Sequence, residues 1–229
     1  MTVKVVFLPE YRRACLFARN LVSLRESLDL PFPLFDGKLD GDECRIMVVR
    51  EGSDAAYAAA RIAIRRGARM LVPISDGIAV SEAGIQPGTI TPVGTIWNLD
   101  SLSPLIQVLP ESAAEVTYWE DDLLPSAPVL TNSDRPVAAG TLAHPTTNRA
   151  LLRKTHEALG VSVFERQLGG YAQAAAEFEV PLVAGCFIQK VIRDSLPHLS
   201  LGELSAGKSF DRELPVFIRE MAMLPSIDP

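Results

Sequence analysis

Residues 161–194, VSVFERQLGGYAQAAAEFEVPLVAGCFIQKVIRD, constrain this chain more tightly than any other stretch. The run 161–164 is β-branched and aromatic. Residues 165–178 then carry Leu168, Tyr171, Ala172, Ala175, Ala176 and Phe178 at spacings of three and four, the period of one helix face. Val180-Pro181 ends that helix, because proline has no N–H and biases the preceding residue toward extended geometry. A buried strand over 182–188 delivers Gln189 and Lys190 at its carboxyl end. In α/β sheets ligands bind along that edge, which makes Glu165, Gln167 and Lys190 candidate site residues.

The chain leading to this unit alternates in the same way. A buried strand over 3–8 ends at Pro9-Glu10, and Glu10 opens a helix running to about residue 28, where its charge suits the helix dipole. Strands over 34–38 and 44–50 flank the Asp36-Gly37 and Asp40-Gly41 pairs, a hairpin signal. Gly52-Ser53 leads into an alanine-rich helix over 54–66, with Gly67 as its C′ residue. The strand over 69–74 contains Pro73, which interrupts its pairing near the end. Ser75, Asp76, Gly77, Ile78 and Ala79 then form a polar loop at a second carboxyl edge, and 87–93 forms a further strand.

Residues 94–134 hold both tryptophans, an acidic run and several prolines, and read as loops, short strands and a lid. The strand over 136–140 leads to a loop, and Thr146 or Thr147 caps a helix through Leu159. A Pro/Leu/Ser-rich connection over 197–207 precedes a C-terminal amphipathic helix over 210–223. With no internal repeat or linker, the pattern predicts one α/β domain spanning 1–229, a mixed, largely parallel central sheet with helices on both faces.

Composition narrows the function classes. A net charge of −6 supplies no footprint for nucleic acid or an anionic membrane, and the Arg12-Arg13 and Arg65-Arg66 pairs read as solvated helix faces. The cysteines, Cys15, Cys44 and Cys186, form no zinc spacing and no disulfide framework, so no metal is expected and a reduced, cytoplasmic compartment is the simplest assignment. No run is apolar and long enough to span a bilayer.

The order of motifs resembles the nucleoside phosphorylase and nucleosidase superfamily, which includes purine nucleoside phosphorylases and methylthioadenosine/adenosylhomocysteine nucleosidases. Glu10 takes the place of the acidic residue after the family's first strand, and residues 35–41 look like its early hairpin. Gly52 resembles the glycine of a loop close to phosphate or ribose. Gly77-Ile78-Ala79 and Pro87-Gly88-Thr89-Ile90 look like its Gly-x-Ala-Gly-Gly and Pro-Gly-Asp elements, with Val80, Ser81 and Thr89 replacing expected letters. Ala139-Gly140-Thr141 similarly looks like Ser-Gly-Asp. Counting from Pro181, the family's acid-Met-Glu run falls on Glu165, Arg166 and Gln167, and its Ser-Asp pair falls on Gln189 and Lys190.

The resemblance implies a nucleoside-like ligand, a homo-oligomer, and no cofactor beyond phosphate as an open co-substrate. Gln167 can hydrogen-bond a sugar hydroxyl but supplies no negative charge to an oxocarbenium ion. Lys190 could donate a proton if buried, or bind an anionic group, or simply be solvated. Glu10 and Glu165 could act as base or charge stabiliser, or only favour a helix start. Arg166, Asp76, Gly77, Thr141 and Gln189 complete the ligand-binding candidates. Three functions remain open from this pattern: cleavage of an N-glycosidic bond with an altered catalytic set, binding of a small ligand or protein partner on the same scaffold, or a changed reaction on a different substrate with Lys190 as an acid or carbonyl-reactive amine.

Overall fold

The computed structural model describes residues 3–27, 31–50, 52–99, 136–143, 149–192 and 206–222. The first half contains β1 (Lys4–Leu8), α1 (Tyr11–Ala18), β2 (Val22–Ser27), β3 (Leu34–Leu39), β4 (Asp42–Val48), α2 (Ser53–Arg65) and β5 (Met70–Val80). The second contains β6 (Ile90–Asn98), β7 (Val137–Thr141), α3 (Arg149–Leu159), β8 (Val161–Glu165), α4 (Leu168–Glu177), β9 (Ala184–Ile192) and α5 (Ala206–Ala222). The strands form one sheet in the order β2-β3-β4-β1-β5-β8-β7-β6-β9, and a further β5–β9 pairing closes the last five into a ring. The class is the expected one: α/β, with a mixed sheet whose β4-β1-β5 and β5–β9 pairings are parallel.

Burial explains the layers. Every residue of β1 after Lys4 is buried, so the strand presents apolar side chains to both faces. On one face lie α2 and α4, whose Ala56, Ala59, Ala60, Ala63, Leu168, Tyr171 and Ala172 are buried. On the other lie α1 and α5, which contribute Ala14, Phe17, Phe210, Leu214 and Phe217. α2 ends where expected, with Gly67 at φ +88° as the left-handed residue past its last turn.

β5 is the pivot. Its first residues pair with β1 up to the Phe7–Pro73 register, and from Ile74 onward it pairs with β9. Pro73 brings no N–H to the ladder, and the exchange of partners falls directly after it, as the sequence suggested.

Several boundaries differ from expectation. α1 stops at Ala18, and the part read as its continuation is β2, an exposed strand antiparallel to β3. Leu16, Phe17, Leu21 and Leu24 imitate helical spacing, but Ser23 sits at φ +60° and the β2–β3 register shifts beside it. The hairpin turn falls on Asp40-Gly41, both at positive φ, whereas Asp36-Gly37 lies inside β3. β5 continues through Ser75 to Ala79, which are therefore strand and not loop; β9 runs to Ile192, so Gln189 and Lys190 lie within it rather than after its end. Glu165 closes β8, and α4 starts only at Leu168. β6 reaches Asn98, so the strand read as ending at 93 runs on into the segment read as loops, short strands and a lid. The remainder of that lid, the Thr146 or Thr147 cap and the connection before α5 lie outside the described residues. No helix among the described residues is long and apolar enough to cross a membrane.

Candidate functional site

Most of the candidates form two clusters beside the carboxyl ends of β1 and β8, where both strands meet the middle of β5, which runs antiparallel to β8. The inner one centres on Glu165, 3% exposed at the end of β8. Its Oε2 accepts the Ser75 hydroxyl proton at 2.7 Å and the backbone N–H groups of Gln167 at 2.5 Å and Leu168 at 2.8 Å. Its Oε1 accepts the hydroxyl of Thr141, and Thr141 Oγ1 in turn accepts the N–H of Gly169 at 2.7 Å. The first amides of α4 are thus satisfied by the chain's own carboxylate and hydroxyl, at the end of the helix where negative charge is favoured. Burial pushes the Glu165 carboxyl above the usual carboxylate range, against the pull of the hydrogen bonds from Thr141, Gln167, Leu168 and Ser75.

Gln167, 2% exposed, is also committed. Its Nε2 donates to the carbonyl oxygens of Val49 and Arg50, each at 2.9 Å, on the turn between β4 and α2. Gly52, on that turn, sits at φ +126°, a conformation few side chains adopt. Thr141 is fully buried at the end of β7, and Arg166 is half-buried between Glu165 and Gln167.

The outer cluster centres on Arg13, a residue read from sequence as half of a solvated pair. Arg12 is indeed exposed, but the Arg13 side chain is only 14% exposed. Its Nε lies 3.0 Å from Glu10 Oε2, and its Nη1 donates to Asp76 Oδ1. The guanidinium lies over two rings, 5.0 Å from the Phe187 centroid and 4.6 Å from that of Phe210. One arginine therefore joins α1, β5, β9 and α5. Asp76 has a side chain 18% exposed, and burial raises its carboxyl above the usual range, opposed by Arg13 and by a hydrogen bond from Gln189.

Glu10, with a half-exposed side chain, precedes α1 directly. Gln189 and Lys190 are exposed on β9, Lys190 in register with Ile78 of β5. The burial that proton donation by Lys190 required is absent. Gly77 is buried, and any Cβ there would lie 2.6 Å from Val163 Cγ1, so close strand packing accounts for the glycine. The structure thus joins Glu165, Thr141 and Gln167 in one network and Glu10, Asp76 and Gln189 in another.

Sequence reasoning did not select Arg13, Phe187, Phe210 or Ser75 for these clusters. The one available signal for Arg13 was its i,i+3 spacing from Glu10 on the first helical turn. Among the described residues, no group of three or more His, Cys, Asp or Glu side chains could hold a metal ion.

No protein-family model matches the sequence. No curated protein matches it either. Solved structures do match in fold. The 5′-methylthioadenosine/S-adenosylhomocysteine nucleosidase of Colwellia psychrerythraea, in complex with adenine, aligns at TM-score 0.72 and 14% identity over 96% of this chain and 94% of its own. The Arabidopsis thaliana 5′-methylthioadenosine nucleosidase aligns at TM-score 0.76 and 11% identity over 100% and 99%. The Neisseria meningitidis nucleosidase, in complex with methylthio-immucillin-A, aligns at TM-score 0.73 and 12% identity over 97% and 99%. At such identities the likeness speaks for the fold alone, and across almost its whole length this chain has the fold of the methylthioadenosine/S-adenosylhomocysteine nucleosidases.

Proposed function

We propose that this protein binds a nucleoside-like small molecule at the carboxyl edge of its sheet without cleaving it. The observation that supports this most is the internal commitment of Glu165 and Gln167. The Glu165 carboxylate already accepts four hydrogen bonds, and both amide protons of Gln167 serve backbone carbonyls. The Glu165 charge is engaged in these contacts, and Gln167, an amide whose nitrogen is taken, brings no negative charge to a developing sugar cation, which needs preorganised negative charge aimed at it. The groups left to meet a ligand are Glu10 and Gln189, with Asp76 and Arg13 behind them, and the exposed Lys190 next along β9. They suit hydroxyl and ring-nitrogen contacts. The nucleoside class of ligand is supported by fold, since related structures hold adenine or methylthio-immucillin-A.

One observation favours N-glycosidic cleavage as a second reading. Glu10 is half exposed at the end of β1 and oriented by Arg13, a position from which a carboxylate could activate water. Phosphate remains open as its co-substrate. Homo-oligomeric assembly, a cytoplasmic setting, and the absence of any cofactor, nucleic-acid partner or membrane partner belong to the same proposal.

The test is direct. The full chain is incubated with methylthioadenosine, adenosylhomocysteine, adenosine and inosine, with and without phosphate. Free base and thermal stabilisation are both followed. Stabilisation by at least one nucleoside without base release is expected, since a ligand selective for the folded state raises its stability. Release of base that disappears in E10Q would establish the second reading and overturn the first.

A further inference from the structure

We propose that Glu165, Gln167 and Gly170 form one interlock that sets the β4–α2 turn against the carboxyl edge, with Glu165 as its positioning residue. It rests on the fold and not on the ligand-binding reading, so either can fail alone.

The interlock runs in one direction through the chain's contacts. Ser75 of β5 and Thr141 of β7 hold the Glu165 carboxylate, and that carboxylate holds the Gln167 and Leu168 amides. The backbone of residue 167 is thereby fixed, and its side chain reaches the Val49 and Arg50 carbonyls. Gly170 closes the same joint from the helix side. A Cβ there would collide with the carbonyl oxygen of Ser53, the first residue of α2, and would lie 2.9 Å from the Tyr57 nitrogen. α4 is pressed directly onto the first turns of α2.

This arrangement assigns a physical reason to an amide at position 167. Two carbonyl oxygens face the side chain, and an amide nitrogen has two protons to give them. A carboxylate has none and would set like partial charges against each other. Gln167 is therefore a backbone tie, and the Gly169-Gly170 pair within α4 serves helix approach and the Thr141 contact.

Hydrogen–deuterium exchange on the full chain tests the interlock in E165A, E165Q, Q167E and G170A. E165A is expected to raise exchange on the order of tenfold over residues 49–56 and 167–171, the scale of a lost buried hydrogen bond. E165Q should return both segments to the wild-type rate, since its amide nitrogen can donate to Thr141 Oγ1 while its oxygen keeps the backbone N–H bonds. Q167E and G170A should loosen 49–56. In all four the β3–β4 hairpin should stay protected.

Unchanged protection of 49–56 in E165A or Q167E would overturn the proposal. So would failure of E165Q to rescue, or loss spread evenly over the hairpin. If E165A does not fold, E165Q and Q167E still decide the matter.

Discussion

Replacing Arg13 with alanine tests the outer cluster most severely. The substitution removes the partner of Asp76, whose side chain is 18% exposed, and leaves a partly buried carboxylate unpaired. Breaking a buried pair from one side costs about 3–5 kcal/mol. The Glu10 contact adds at most about 1 kcal/mol, because the Glu10 side chain is half exposed and screened by water. The stacking on Phe187 and Phe210 is worth about 0.5–2 kcal/mol. These terms overlap, and partial exposure of Asp76 discounts the first, so a total of about 3–5 kcal/mol is expected near neutral pH. For a chain of this size that lowers Tm by ~6–20 °C, at about 2–4 °C per kcal/mol.

The pH dependence sharpens the test. Burial already raises the Asp76 carboxyl, and Arg13 opposes that rise. Without Arg13 the carboxyl moves up further. A carboxyl raised in the folded state makes its ionised form the costly one, and that cost disappears as pH falls through the raised value. The R13A deficit should therefore be smaller at pH ~5 than at pH ~7.5. Urea denaturation of wild type, R13A and R13A/D76N at the two pH values measures it. R13A/D76N should be more stable than R13A near neutral pH, since it no longer buries an unpaired charge. An R13A deficit below about 1 kcal/mol, or one independent of pH, would refute the reasoning.

Three further outcomes follow from other parts of the molecule. E165Q should be more stable than wild type at pH ~7.5 and lose that advantage on acidification, because burial raises the Glu165 carboxyl and its ionised form carries the cost; an advantage that grew on acidification would contradict this. G77A should cost about 1–3 kcal/mol by overpacking against Val163, and V163A should recover part of it in the double variant measured by thermal melting. A thiol reagent should label Cys15 in the native protein and reach Cys44 and Cys186 only after unfolding. Both of the latter are buried, and burial pushes the Cys44 thiol up to about 12, so mass spectrometry finding all three labelled early would reject the assignment.

The parts legible in the sequence were those where local chemistry and global packing agree. Val180-Pro181 closed the 165–178 helix at nearly the right place, and Gly67 closed α2. Pro73 marked the change of partner along β5. β2 was hidden because it is an exposed edge strand without a buried face, and Leu21 and Leu24 continue the helical interval begun by Phe17 in α1. The site was legible by position and not by role. Glu165 and Gln167 do lie at a strand end, but counting residues cannot tell a carboxylate aimed at a ligand from one capping the next helix. Arg13 was missed because its partners, Asp76, Phe187 and Phe210, are brought to it only by tertiary contacts.

The partner exchange along β5 bears on how the molecule folds. One strand of 11 residues belongs both to the open row that ends at β2 and to the closed ring that ends at β9. Neither can melt without disturbing a strand on which the other depends. Unfolding should therefore be cooperative across both, with no stable half-folded species, although β5 and β9 are separated by about a hundred residues. The same separation makes formation slow, since the loop entropy of bringing β9 to β5 is spent before the ring repays it. β5 is thus the strand on which both assembly and collapse of the fold turn.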